Sequence, residues 1–447
     1  MIVLPNTPPM PVQLNDPSSA LPQNVLTLRS SLQVPSLSNY NESIRYVINL
    51  EQYLDAVIEL AESVDASNAF ISTNIPWSSV SKGEIKMKLF KVKSNKPVVN
   101  KWTLSNELSM TLISIALIYN RVASDLANET INLDLEPPAK PEDYNENWKQ
   151  VMSLYKKSIS MMLFAEQIGG DKPQLNEGVL HVNATIFSSI MKVTDLSIQM
   201  SILSKFLWIS RYTFDQEEIV SAGNSMTLAK VAIYCMNELD VIQRLLDDLN
   251  LSVEKSVKTG PGVINLDYSE WDTYLQIITK YVSAYAGFYL AVQSYRDNKF
   301  GNALGLIQFS LLSLQSKKDL PTSSFISRKV TLKQFRDKLS QRKQENILSN
   351  LNSVSTLDIN KSAFSGKSGI ILNDLSYLFD QLIKLNLKIS SENNTLYFQE
   401  LVHWSAVNSD SKWPIGCKIP VSQVGAYSPR QTQEKQDSNY TGRGEYY

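Results

Sequence analysis

Two apolar stripes separated by three polar residues constrain this chain more than any other feature. Tyr281, Ala284, Phe288, Val292 and Tyr295 recur at three- and four-residue steps; Asp297-Asn-Lys299 interrupts; then Phe300, Ala303, Ile307, Leu311 and Leu314 resume the spacing. That period places each set on one face of a helix. A link this short joins two helices as an antiparallel hairpin. Neither helix can hide its stripe alone, so further helices must stack on the pair, as in TPR-like solenoids. No strict repeat of about 34 residues runs through the chain, which disfavours a regular TPR array.

The same period predicts helices over much of the remainder. Ile44, Val47, Ile48, Tyr53, Val57 and Leu60 mark one, and Leu108, Leu112, Ile115, Tyr119, Val122 and Leu126 a second, with Ser105-Asn-Glu107 at its start. Trp148–Ile168, Phe187–Ile209 and Met226–Leu249 follow. Between Ala69 and Trp102 the period changes. Glu84–Lys93 alternates apolar residues with lysine, the signature of a half-buried strand, and Phe70–Ile75 and Val98–Trp102 flank it. The expected fold class is mainly all-α, with a small sheet of about three strands near the N-terminal end.

The Pro-, Ser- and Asn-rich residues 1–38 read as extended, with an N-terminal arm over 1–19. Gly260-Pro-Gly262 and Asn346–Ser368 read as loops. The helical pattern stops at Leu387, and Tyr397–Val402 reads as extended. Tyr427–Tyr447 contains no Leu, Ile, Val, Phe, Met or Trp, which predicts a disordered tail over 426–447.

Composition removes several function classes. With 43 basic and 44 acidic side chains the net charge is −1, so no overall field attracts nucleic acid. Cys235 and Cys417 are too few for a disulfide framework or a thiolate zinc site, and His181 and His403 are too few for a multi-histidine metal site. Cys235 lies in the apolar stretch KVAIYCMNEL and reads as a small buried hydrophobe. Ser365-Gly-Lys-Ser368 has the end of a phosphate-binding loop, but Lys361 stands where the first glycine belongs. Asp247 and Asp248 are helical neighbours whose side chains diverge by ~100°, so they read as a solvated face. No catalytic constellation, cofactor site or metal site emerges, and the expectation is a non-enzyme.

The first basic residue is Arg29, and Pro5, Pro8, Pro9 and Pro11 interrupt the apolar start, which argues against a signal peptide. The uncharged run Phe300–Ser316 carries three serines, two glutamines and an asparagine and reads as an amphipathic helix. The expectation is a soluble, cytoplasmic protein.

Two basic clusters remain. Lys86, Lys88, Lys91 and Lys93, with Lys82, Lys96 and Lys101, surround the strand region; Arg328, Lys329, Arg336 and Arg342, with Lys333, Lys338 and Lys343, crowd another segment. Each alone reads as a solvated face. Together, in a neutral chain, they suit an anionic membrane or an acidic partner, at about 1 kcal/mol per basic residue near the surface.

Four segments, in order, resemble the Bro domain family, shared by Alix, rhophilin and the fungal PalA and PalC proteins. Asn106-Glu-Leu-Ser-Met-Thr-Leu-Ile-Ser-Ile-Ala-Leu-Ile-Tyr119 resembles the family helix that follows a small tryptophan-containing sheet, here with Trp77. Ala229-Lys-Val-Ala232 resembles the central Ala-Lys-Leu-Ala stretch. The run from Tyr295 to Gln308 resembles the family's tight helical turn, and Glu392–Gln399 its closing signature. Trp413–Pro420 followed by Tyr427-Ser-Pro429 is similar to the end of the PalC branch, the fungal pH-response regulators.

The resemblance covers residues 20–425 and implies a boomerang-shaped helical domain. It implies a non-enzymatic adaptor, without cofactors, whose groove takes the C-terminal amphipathic helix of an ESCRT-III Snf-type subunit in ambient alkaline-pH signalling. A plasma-membrane pH-sensing complex would act upstream, and recruitment would be to the cell cortex or endosomal membranes. A general endosomal sorting factor, or a membrane scaffold acting through its basic surfaces, is the alternative. By the same resemblance the groove positions are Phe164, Leu207, Thr227, Val231 and Leu304; core packing competes for each.

Overall fold

The computed structural model describes residues 1–14, 16, 19–32, 40–82, 101–132, 145–169, 181–214, 224–259, 263–314, 369–407 and 413–429. Its helices are α1 (Gln23–Ser31), α2 (Tyr40–Ser63), α3 (Leu104–Asn132), α4 (Asn145–Gly169), α5 (Ala184–Phe214), α6 (Ser225–Thr259), α7 (Trp271–Arg296), α8 (Phe300–Ser313), α9 (Gly369–Glu392) and α10 (Trp404–Val407). From α2 to α8 each helix packs on the next, and α9 returns to lie on α8, α3 and α7. The fold is mainly helical, as the apolar periods predict.

The α7–α8 hairpin is where the sequence spoke most clearly. Asn298 takes the left-handed conformation (φ 58°), which asparagine tolerates, and the Lys299 N–H bonds back to the Ser294 carbonyl at 2.8 Å. Helix α7 is buried round nearly its whole girth between α6 and α8. At Gly287 a Cβ would stand 3.1 Å from the Leu306 carbonyl oxygen, so glycine permits the close crossing with α8.

The strands depart from the single sheet expected. β1 (Phe70–Ser72) pairs antiparallel with β3 (Trp102–Thr103). β2 (Val80–Lys82) instead pairs antiparallel with β5 (Val263–Leu266), which also pairs in parallel with β4 (His181–Val182). A partner so far downstream leaves no mark in the local period. The Glu84–Lys93 strand reading lies outside the described residues.

Two further corrections concern helix limits. Within the stretch read as extended, Gln23–Ser31 is helical, anchored by buried Val25 and Arg29. Helix α9 runs past Leu387 to Glu392, because Ile389 is buried and Glu392 accepts a 2.7 Å hydrogen bond from the Tyr295 hydroxyl. A π-helical turn, Asn393–Tyr397, follows.

The N-terminal arm is extended but not peripheral. Met1, Ile2, Val3 and Leu4 are buried, and neighbouring side chains supply partners that an isolated extended backbone lacks. The Val3 N–H bonds the Tyr274 hydroxyl, Trp271 Nε1 donates to the Pro5 carbonyl, and the Ser114 hydroxyl donates to the Pro9 carbonyl.

Ala184–Ile209 of α5 is long and apolar enough to cross a membrane by length and composition alone; 72% of its most apolar window is buried inside the protein, which makes it a core helix. Both basic clusters and the Gly260-Pro-Gly262 and Asn346–Ser368 loops lie outside the described residues, except Lys82 on β2 and Lys101 beside β3. Of the tail expected to be disordered over 426–447, residues 426–429 are instead ordered, since Tyr427 is held by Ser160, Asp55 and the Phe164 ring, and 430–447 lie outside the described residues.

Candidate docking face

Glu107, in the first turn of α3, is fully buried and gathers four donors. Arg29 Nε and the Tyr53 hydroxyl reach Oε1, and the indole N–H groups of Trp77 and Trp102 reach Oε2, each at 2.8 Å. Arg29 spends its remaining nitrogens on the Val12 and Pro76 carbonyls at 2.6 Å. Burial works against the Arg29 charge, but the adjacent Glu107 outweighs it and raises the guanidinium pKa; burial followed by Glu107 pushes the Tyr53 phenol well up. With every oxygen occupied, this centre ties α1, α2, β3 and the Trp77 loop to α3 and has no capacity left for chemistry.

The segments Tyr295–Gln308 and Glu392–Gln399 lock together. The Tyr295 hydroxyl donates to Glu392, the Tyr397 ring stacks on Phe300 with centroids 3.9 Å apart, and Gln399 bonds both the Gly301 N–H and the Asn298 carbonyl. Asn393 clamps the Gln399 backbone from both sides at 3.0 Å. This fixes Phe398 in the left-handed region (φ 51°), 75% exposed.

The five groove positions occupy different environments. Leu207 on α5 and Val231 on α6 are 0% exposed, inside the packed layer. Leu304 on α8 is also buried, between Gly301 and Gly305, against which the backbones of Glu400 and Val402 press. Phe164 on α4 and Thr227 in the first turn of α6 are half-buried. The Thr227 N–H bonds the Asn224 side-chain oxygen at 3.2 Å, so Asn224 caps α6.

An extended strap, residues 413–429, crosses this face. The Trp413 ring meets Phe309 of α8 edge-on, with centroids 5.4 Å apart. Gly416 lies against the Tyr234 backbone, where a Cβ would stand 2.6 Å from the nitrogen, and the Cys417 N–H donates to the Lys230 carbonyl of α6. Lys418 pairs with Asp195 at 3.6 Å, and the Gln199 amide of α5 grips Ile419 by both backbone groups at 3.0 and 3.1 Å. Lys156 reaches Ser422; the Tyr427 N–H donates to the Ser160 carbonyl; its ring packs edge-on to Phe164, 5.6 Å between centroids. The Tyr427 hydroxyl ends the crossing at Asp55 of α2.

Sequence reasoning missed Gln199, Asp195, Lys230 and Tyr234. They sit at helical spacing that also describes any solvated face, and only the end-of-domain likeness of Trp413–Pro420 and Tyr427-Ser-Pro429 hinted at their partner. It also missed Asp374 on α9. This carboxylate is buried and accepts from the Ser204 hydroxyl and the Tyr285 hydroxyl, both at 2.7 Å, and from the Tyr281 hydroxyl. Burial pushes it up to about 7, with the Ser204 bond and the Met1 amine pulling the other way. Cys235 is a buried small side chain, as its apolar setting predicts, and burial drives its thiol well up.

A family model described as "Family of unknown function (DUF5355)" matches residues 102–447. No curated protein matches the chain. Among solved structures, one described as "Structure basis for endosomal targeting by the Bro1 domain" is 13% identical, covering 80% of this chain and 88% of that chain at a TM-score of 0.39. At that score the likeness carries no argument of its own.

Proposed function

We propose, for a chain that belongs to the family of unknown function DUF5355, a non-enzymatic adaptor of the Bro type that docks an amphipathic helix. The observation that carries the reading is the lock between Tyr295–Gln308 and Glu392–Gln399. Two segments singled out separately for their Bro-like pattern are direct partners through Tyr295–Glu392, Phe300–Tyr397 and Gly301–Gln399. A third, the α3 segment, carries Glu107 and its four donors. The resemblance thus falls on residues that hold the fold.

The proposed docking face runs from Phe164 on α4 across α5 to Thr227 on α6, with Lys230 and Tyr234 at the same helical spacing on α6; Leu207, Val231 and Leu304 are buried. An amphipathic helix presents apolar anchors at three- and four-residue steps to such a face. The proposed partner is the C-terminal helix of an ESCRT-III Snf-type subunit. The coarser role is an endosomal-sorting adaptor; the finer is alkaline-pH signalling of the PalC kind.

Titration of a labelled peptide of that helix against the full chain tests the proposal. Saturable binding, lost in Phe164→Asp with the helical circular-dichroism signal intact, is expected. No binding, or binding indifferent to Phe164→Asp, sinks it.

A further inference from the structure

We infer that residues 413–429 are a displaceable occupant of this face, an intramolecular strap that must lift before a helix can dock over Phe164 and Thr227. The inference rests on the docking reading only for the identity of the displacing partner; the contacts of the strap stand without it.

Three features argue that the strap is separate from the core beneath it. It forms no helix or strand of its own, and Ile415 within it is 90% exposed. Between two aromatic ends, Trp413 on Phe309 and Tyr427 on Phe164, it is held by hydrogen bonds and one ion pair, with Ile419 and Val421 only partly buried against the core. Neutral hydrogen bonds each contribute only a small net stabilisation, since they replace bonds to water. The Lys418–Asp195 pair, with side chains 52% and 26% exposed, contributes less than that. Leu207 and Val231, on the helices that the strap crosses, are fully buried. A segment without secondary structure of its own, held by scattered bonds over fully buried helix residues, opens at lower free energy than those helices do.

The surface also reads the strap mainly through its backbone. Gln199 takes both the N–H and the carbonyl of Ile419; the Lys230 and Ser160 carbonyls accept the N–H groups of Cys417 and Tyr427. A docked helix bonds its own backbone internally and cannot take over these contacts, so it displaces the strap without sharing its bonds. The strap covers Phe164 with Tyr427 and follows the Lys230–Tyr234 stripe that Thr227 begins, so strap and docked helix cannot share the face.

Hydrogen exchange on the full chain tests the strap. The amides of Cys417, Ile419 and Tyr427 should exchange together, about 100-fold or more faster than those of Leu207 and Val231. Gln199→Ala, and separately the pair Trp413→Ala with Tyr427→Ala, should speed all three by about tenfold while leaving the core amides unchanged. Strap amides as slow as the core, or a variant that affects only its own end, would overturn the inference. With the labelled ESCRT-III-type helix as probe, the Trp413→Ala/Tyr427→Ala chain should bind at least about tenfold more tightly than wild type. Equal or weaker binding refutes the gate. If neither chain binds, the docking reading fails, and the exchange pattern still decides whether the strap lifts.

Discussion

Arg29 Nε and Glu107 Oε1 lie 2.8 Å apart where neither side chain exceeds 2% exposure. Such a pair is costly to form, since both ions leave water, and more costly to break. Here Tyr53, Trp77 and Trp102 complete the carboxylate's four bonds and two carbonyls accept from the other guanidinium nitrogens, so removing either ion strands several buried polar groups at once. Glu107→Gln should cost about 3–5 kcal/mol in urea unfolding, with Arg29→Met comparable. The double variant should cost clearly less than the sum of the two. Additive losses would mean that the pair does not act as a unit.

Asp374 should make stability depend on pH near neutrality. Its folded pKa, about 7, lies above the unfolded value of 3.8, so the native state holds a proton that the unfolded chain has released. Stability therefore falls as pH rises from about 4 to about 7, by up to about 1.4 kcal/mol per unit, and the penalty is complete above about 7. The Met1 amine, pushed down to about 5 by burial, faces the same pocket and contributes the opposite slope between about pH 5 and 8. Comparison of Asp374→Asn with wild type reads the carboxyl together with its coupling to Met1, and leaves the burial part of the Met1 contribution common to both. The variant should gain on wild type progressively across about pH 4–7 in denaturant titrations; a constant difference would contradict the assignment.

Glycine at position 301 is required by contact. A methyl there would stand 2.0 Å from the Glu400 carbonyl oxygen, and one at Gly425 would meet nothing within 4 Å. Gly301→Ala should cost about 1–3 kcal/mol by thermal unfolding. Gly425→Ala should stay within about 0.5 kcal/mol of wild type.

Among the groove positions, burial separates surface from interior. Phe164→Asp should leave the fold intact, because the half-buried ring can be replaced by a solvated carboxylate. Val231→Asp and Leu207→Asp should lose the cooperative melt, since an unpaired charge would be sealed among apolar neighbours. Equal melting temperatures for all three would show that these sites share one environment after all.

What was legible in the sequence was whatever repeats locally. The Tyr281–Tyr295 and Phe300–Leu314 stripes specified a hairpin because helix period and turn residues agree within one short window. The sheet was only half legible: Phe70 and Trp102 do pair through their strands, but Val80–Lys82 finds β5 far along the chain, which no local period encodes. The centres at Glu107 and Asp374 each draw donors from several elements, so their residues look like isolated polar positions in one dimension. The covering of Phe164 was invisible for the same reason. A tyrosine in a Ser/Pro-rich stretch carries no sign of the ring that it will meet.

The bond from Tyr427 to Asp55 spans 372 positions, and it has a consequence for synthesis. A chain emerging from the ribosome can stack α2 through α8 long before Trp413 and Tyr427 exist, so Phe164 and Phe309 lack these two ring partners throughout most of elongation. Domains form as their residues emerge, and transiently uncovered aromatic surface invites association at that stage. The nascent helical array thus presents to the translation machinery a face on which the strap has not yet closed.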